Sequence, residues 1–208
     1  LSGDAPIRVR PPSAAAFDGV RVEGDQASTS LAMPWILRAG VELRPLRGLR
    51  VELAVVGELW STQQELTITP HDVWLRDVVA IGDYEVGPVT IPRQMRDTLS
   101  VRLGGEYTTG VVGMRAGLSY ENGAFDDAYL SPLTMDSDKV ALALGASFEV
   151  TRGFYVDVTF QHFFERNREV RNSGVPQANP IRPPPTDIVY VGNGDYAIEA
   201  STLGLGVR

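Results

Sequence analysis

Apolar and polar residues alternate one for one in short segments along most of this chain. In 35–44, Trp35, Leu37, Ala39, Val41 and Leu43 are interleaved with Ile36, Arg38, Gly40, Glu42 and Arg44. A strand sends successive side chains to opposite faces, so such a segment has one apolar and one polar face. The pattern recurs at 101–107, 114–121 and 140–150. There the apolar face carries Val101, Leu103 and Tyr107, then Met114, Leu118 and Tyr120, then Val140, Leu142, Leu144 and Phe148. Each segment has about ten residues, the length a tilted strand needs to cross a bilayer. The pattern predicts an all-β fold, an antiparallel transmembrane β-barrel.

About eight up-and-down strands follow from the same reading. They are 20–33, ended by Pro34, then 35–44, and 49–60 continuing through 63–69. Next come 97–107, 114–121, 140–150, 154–165 and 197–207. The connections alternate in length. Those at 45–48, near Gly110 and at 151–153 are short; those at 70–96, 122–138 and 166–196 are long. The longest holds Pro176, Pro180 and Pro183–Pro185 and reads as irregular surface. Outer-membrane barrels have short periplasmic turns and long extracellular loops, whereas a soluble sandwich has no reason to sort its loops by end. Trp35, Trp60, Tyr107, Tyr120, Phe154 and Phe164 lie near strand ends, where aromatic girdles form. Strand propensity alone would also put aromatics in such segments.

Composition narrows the function classes. The chain has 208 residues, 43% hydrophobic, with a mean hydropathy of -0.06. No run approaches the ~18 apolar residues of a membrane-spanning helix, which does not bear on strands. A net charge of -7 makes a poor nucleic-acid binder. The absence of cysteine removes disulfides, thiolate metal sites and cysteine nucleophiles.

The polar face is where function would sit. It carries both signs, with Arg38, Arg102 and Arg115 among acids such as Glu42, Glu106, Glu121 and Asp157. Cross-strand ion pairs are the leading reading, because buried charges persist when paired. The functional alternative makes Arg38, Arg102 and Arg115 lumenal ligand-binding residues that hold a carboxylate head group. Gly40, Gly104, Gly117 and Gly145 on that face either let an acyl chain approach the wall or relieve strand crowding. Catalysis finds little support. His71 and His162 are the two histidines, and no nucleophile motif joins His162 to Ser147 and Asp157. No metal-ligand spacing or cofactor motif occurs. Asp126, Asp127, Asp136 and Asp138 read as solvated loop acids before they read as a Ca²⁺ site. Arg166, Arg168 and Arg171 are equally candidates for lipopolysaccharide contact and for solvated charge.

Several short pieces, in order, carry a family resemblance. They include Leu31-Ala32-Met33-Pro34, Gly40 with Arg44-Pro45, Trp60-Ser61 with Glu65-Leu66, and Arg96-Asp97-Thr98 before Leu103-Gly104. Arg115-Ala116-Gly117 with Tyr120-Glu121, Ser131-Pro132, Asp136-Ser137-Asp138 and Leu203-Gly204-Leu205-Gly206 follow. The chain resembles the C-terminal half of FadL-type long-chain fatty-acid transporters of Gram-negative outer membranes. That resemblance implies a monomeric barrel of ~14 strands, of which residues 1–208 form the C-terminal portion without the N-terminal plug and first strands. It also implies passive uptake of long-chain fatty acids or related hydrophobic molecules, without cofactor or catalysis. The partners are then the hydrophobic ligand, outer-membrane lipid and lipopolysaccharide, with no nucleic acid. The rivals are a general porin or hydrocarbon channel, a structural or adhesive barrel, and a soluble β-barrel binding module. Eight strands are enough to close a small barrel, but the half-family match predicts an open sheet with two free edges.

Overall fold

The computed structural model describes residues 2–11, 13, 15–177 and 189–208. Pro180 and Pro183–Pro185 of the proline-rich segment lie outside the described residues. The strands, in chain order, are β1 (Ser2–Pro6), β2 (Arg21–Glu23), β3 (Gln26–Ser30), β4 (Ile36–Leu46), β5 (Leu49–Glu58) and β6 (Glu65–His71). Next are β7 (Trp74–Val78), β8 (Gly82–Glu85), β9 (Val89–Pro92), β10 (Thr98–Thr109) and β11 (Val112–Glu121). Last are β12 (Lys139–Thr151), β13 (Phe154–Glu165), β14 (Arg168–Val170), β15 (Gly194–Tyr196) and β16 (Glu199–Val207).

Seven of these form one antiparallel wall in the order β16-β13-β12-β11-β10-β5-β4. Residues directly opposite each other in such a ladder share a face. One row across the apolar face reads Val41, Leu53, Leu103, Leu118 and Leu142. One row across the polar face reads Glu42, Glu52, Gly104, Gly117, Ala143, Gln161 and Thr202. The faces are therefore those the alternation predicts, with Arg38, Arg102, Arg115 and Asp157 opposite the leucines. No protein layer covers the apolar face: Leu103 is 50% and Leu205 78% exposed. A face this large and apolar requires a nonaqueous neighbour. Among the described residues the wall does not close on itself, and β4 and β16 each pair on one side only.

The short turns sit together at one end. Gly48 takes φ +82 between β4 and β5, and its carbonyl accepts the Thr108 N–H at 2.8 Å. A Cβ there would stand 2.3 Å from the Thr108 carbonyl, so the turn requires glycine. Pro45 cannot donate to a ladder, and the register of β4 shifts between Leu43 and Leu46.

The other end departs from the sequence reading. Residues 20–33 are not a wall strand; they supply β2 and β3 to two small sheets. The strand of 49–60 does not continue through 63–69, because a 3-10 turn at Trp60–Thr62 breaks it. Residues 70–96, read as one long loop, hold three strands, β7, β8 and β9. The wall thus has seven strands where the alternation suggests eight. One small sheet runs β1-β3-β6-β9 and the other β2-β7-β8. Val73, Leu75, Val78 and Val86, in and beside the β2-β7-β8 sheet, form a buried cluster, with Ile7, Val9, Phe17, Val20 and Tyr84 packed around. A second cluster ties the three long loops together. Met95 comes from the first, Ala124, Phe125 and Leu130 from the second, and Val170 from the third.

Two consequences are testable. An arginine in the middle of the apolar face costs ~2–4 kcal/mol in lipid. Val101→Arg should therefore reduce folding yield and heat resistance in outer-membrane preparations far more than Thr98→Arg, and equal effects would contradict the assigned faces.

The loop layer should be acid-labile. Hydrogen bonds from the Ser61 hydroxyl and N–H hold the Asp97 carboxyl below the ordinary aspartate range, and Arg76 does the same for Asp83. A depressed folded pKa contributes stability above the ordinary range and loses it as pH falls through the depressed value. Protease protection of 59–97 should hold from neutral pH through the ordinary carboxylate range and fall only below it. Asp97→Asn should remove part of that pH dependence.

Candidate functional site

The polar face of the wall lines two adjoining cavities of about 540 Å³ and 550 Å³. They share Glu52, Gly104, Gly117, Ala143 and Gln161. Gly104, Gly117 and Ala143 are consecutive register partners, so the middle of the shared floor, between Glu52 and Gln161, is nearly bare backbone. Nothing lies within 4 Å of a Cβ built on Gly104. The strand therefore has room for a side chain at Gly104, and the missing side chain keeps the trough deep.

The charges on this face fall into two groups. Toward the short turns, seven alternate in sign across the wall. Arg44 reaches Glu42 at 2.6 Å, Glu42 lies 3.8 Å from Arg50, and Arg50 reaches Glu106 at 2.7 Å. Arg115 takes Glu106 from the other side at 3.1 Å and lies 3.7 Å from Asp157. The Ser147 hydroxyl accepts from Arg115 at 2.7 Å and donates to Asp157. Arg208 closes the ladder at 3.3 Å from Asp157, with its guanidinium over the Tyr155 ring. Only Glu106 sits between arginines of its two neighbouring strands, Arg50 of β5 and Arg115 of β11; Glu42 is served by Arg44 of its own strand and Arg50 of the next, and Arg115 reaches Asp157 across β12.

Arg38 and Arg102 are the second group, and both line the first cavity. Arg102 donates to the Ser100 hydroxyl at 3.0 Å and has Glu121 at 3.8 Å. Glu121 is meanwhile held at 2.9 Å by Lys139. Arg38 makes no hydrogen bond or ion pair among the described residues. The three arginines singled out from sequence thus differ in kind. Arg115 is engaged on both sides in the ladder, Arg102 has one close hydrogen bond and a distant acid, and Arg38 has no partner among the described residues.

Sequence reasoning missed Arg208 and Lys139 as partners on this face. The parity of Lys139 with Ala141 and Ala143 was a usable signal; the pairing of Arg208 with Asp157 needs the register. Other sequence candidates resolve into internal contacts. Asp126 pairs with Arg96 and Asp127 with Arg168, while Asp136 and Asp138 accept the Ala124 and Gly123 N–H groups. Arg166 lies by Asp138, and Arg171 bridges Glu169 and Asp195. Ser147 and Asp157 are on the polar face, and His162 is on the opposite face of β13, so these three do not assemble.

Glu106 is the acid two arginines share, and hydrogen bonds to charged groups contribute ~1.5–3 kcal/mol before solvent screening. Glu106→Ala should lower the denaturation midpoint of the barrel by about 1–2 kcal/mol equivalent, and high salt should narrow the difference. Glu52→Ala, which breaks no hydrogen bond or ion pair among the described residues, is the control.

The comparisons with known proteins bear on this wall. A Pseudomonas aeruginosa FadL homologue of known crystal structure matches with a TM-score of 0.59 and 22% identity. The match covers 88% of this chain and 36% of that one, so this chain spans about a third of its length. At that identity the likeness establishes the fold alone, a section of an antiparallel β-barrel. No curated protein matches the sequence. Residues 6–201 match a family described as outer membrane protein transport proteins (OMPP1/FadL/TodX). The chain belongs to that family of outer-membrane transport proteins.

Proposed function

We propose that this wall lines a passive conduit for long-chain fatty acids or closely related hydrophobic molecules across the outer membrane of a Gram-negative bacterium. The supporting observation is the bare-backbone trough next to two under-neutralised arginines, Arg38 and Arg102. A flat hydrocarbon chain gains contact with a wall that lacks side chains, and a guanidinium attracts a carboxylate through charge-assisted hydrogen bonds. The ladder through Arg115 lies beneath as a support in which every acid is shared between two arginines. This reading assigns no chemistry and no cofactor to the lumen.

The wall is further proposed to be the C-terminal portion of one monomeric barrel domain, completed by strands and a plug outside residues 1–208. Two strand edges without a partner among the described residues support it, since each exposed backbone group in hydrocarbon costs several kcal/mol. Outer-membrane lipid is the surrounding partner. With its loop arginines taken up internally, lipopolysaccharide contact would rest on other groups.

Displacement of a fluorescent fatty acid tests the reading. Arg38→Ala and Arg102→Ala should each weaken binding by roughly 1.5–3 kcal/mol. Arg115→Ala should change affinity less than either. Gly104→Val should obstruct the trough and lower affinity while leaving the wall folded. Unchanged affinity in all of them would remove the carboxylate site, and preferred binding of a neutral hydrocarbon would favour the hydrocarbon-channel alternative.

A further inference from the structure

The row of Val41, Leu53, Leu103, Leu118 and Leu142 does not stay apolar to its end. Its next two members are His162 of β13 and Ser201 of β16. Glu199 stands on the adjoining row, opposite Phe164. A histidine, a serine and a carboxylate thus occupy a face otherwise built for lipid. Ionisable groups in such a place are costly and mark functional sites by default.

The geometry is specific. The Ser201 hydroxyl lies 2.8 Å from His162 Nδ1, and Glu199 Oε1 lies 3.7 Å from His162 Nε2. The imidazole is largely buried and packs edge-on against the Phe164 ring with centroids 4.2 Å apart. Backbone pairing explains the short contact. Tyr155 and Arg208 exchange both their hydrogen bonds, so by alternation His162 and Ser201 form a non-hydrogen-bonded pair, whose side chains stand closest. The Ser201 N–H consequently points away from β13. A carboxylate beside Nε2 favours the tautomer protonated there, which leaves the Nδ1 lone pair free to accept the Ser201 proton.

We infer that the outward face carries a second site, in which Ser201, His162 and Glu199 hydrolyse acyl esters of the surrounding lipid. The inference rests on the barrel fold, which puts this face in the membrane, and not on the lumenal cargo. Ser201 Oγ adds to the ester carbonyl carbon as His162 Nδ1 takes its proton. The bond from that carbon to the alcohol oxygen breaks, and His162 returns the proton to the departing alcohol. Water then adds to the acyl-serine carbon, giving a proton to His162. The carbon–Ser201 bond breaks, the serine recovers its proton, and a carboxylic acid leaves. Glu199 orients the ring and stabilises the transient imidazolium. The supply of water fits the position. His162 lies three residues before Glu165, the end of β13, about 10 Å along the strand from the long loops. Ester groups of lipids lie in the same boundary zone, and Phe160 and Leu203 on the neighbouring row offer the acyl chain an apolar bed.

The test uses the protein purified from outer membranes in an ester-free detergent. A fluorophosphonate probe should label Ser201, located by peptide mass, and a medium-chain nitrophenyl ester should be hydrolysed. Ser201→Ala should abolish labelling and lower hydrolysis at least ~100-fold, and His162→Phe should do likewise. Glu199→Gln should lower the rate and shift its pH profile while the protein still labels. Folding of each variant is read from heat-modifiable migration in gels; if Ser201→Ala does not fold, peptide mapping of the labelled parent protein decides alone. Absence of label on Ser201, or hydrolysis unchanged in a folded Ser201→Ala, overturns the inference. Neither result touches the lumenal reading, because fatty-acid displacement by Arg38→Ala and Arg102→Ala is measured separately.

Discussion

A peptide N–H or C=O in hydrocarbon has no water to bond, and leaving one unpaired costs several kcal/mol. Everything in the wall follows from that constraint. Each spanning segment must be a strand bonded to its neighbours, so the seven strands join in strict up-and-down order, with only the outer sides of β4 and β16 without a partner among the described residues. Once the ladder is set, side chains divide by parity. One face takes leucine, valine and phenylalanine to suit lipid, and the other is free to carry charge. Proline enters the wall only at Pro45, on an edge strand beside a register shift, where no ladder bond is lost.

The same constraint explains why the lumenal charges form a ladder instead of isolated pairs. Strands about 4.8 Å apart bring each side chain within reach of both neighbours. A lone charge on this face would keep part of its desolvation cost, whereas Glu106 between Arg50 and Arg115 is served from both sides. Arg38 belongs to β4, an edge strand with no second neighbour among the described residues. Its lack of a partner is thus partly a matter of position, and Arg102 is the stronger indicator, because it sits mid-wall with neighbours available and still has only a loose acid.

The wall was legible in sequence because period two with leucine on one face suits a lipid-facing strand and cannot form one face of a helix. Residues 101–107, 114–121 and 140–150 lie inside β10, β11 and β12, and their faces are as read. The loop end was not legible, for a physical reason. The segment 20–33 also alternates, since any half-buried strand does, and alternation does not say whether protein core or lipid lies against the apolar face. The break after Glu58 is a turn through Trp60, Ser61 and Thr62, with no proline or glycine to signal it. Among the arginines, sequence specified the face but not the partner. Separating Arg115 from Arg102 requires knowing that Arg115 stands opposite Glu106 and beside Ser147.

The two ends of the molecule are held by different forces. In the wall, a leucine exposed to lipid gains little by folding, because the chains around it are as apolar as itself. Stability there comes from the ladder and from the lumenal ion pairs. Beyond the membrane, water returns and burial drives assembly again. The loops accordingly hold ordinary cores, with Val73 and Leu75 wholly buried at β7 and its approach, and Met95, Leu130 and Val170 joining the three long loops. Burying such side chains stabilises by roughly 1.5–3 kcal/mol each. Loops of this length would otherwise carry a large ordering entropy. Met95, Phe125 and Val170 fix them to one another directly above the wall, so the approach to the trough is set by a packed layer with defined walls rather than by independent strands of loop.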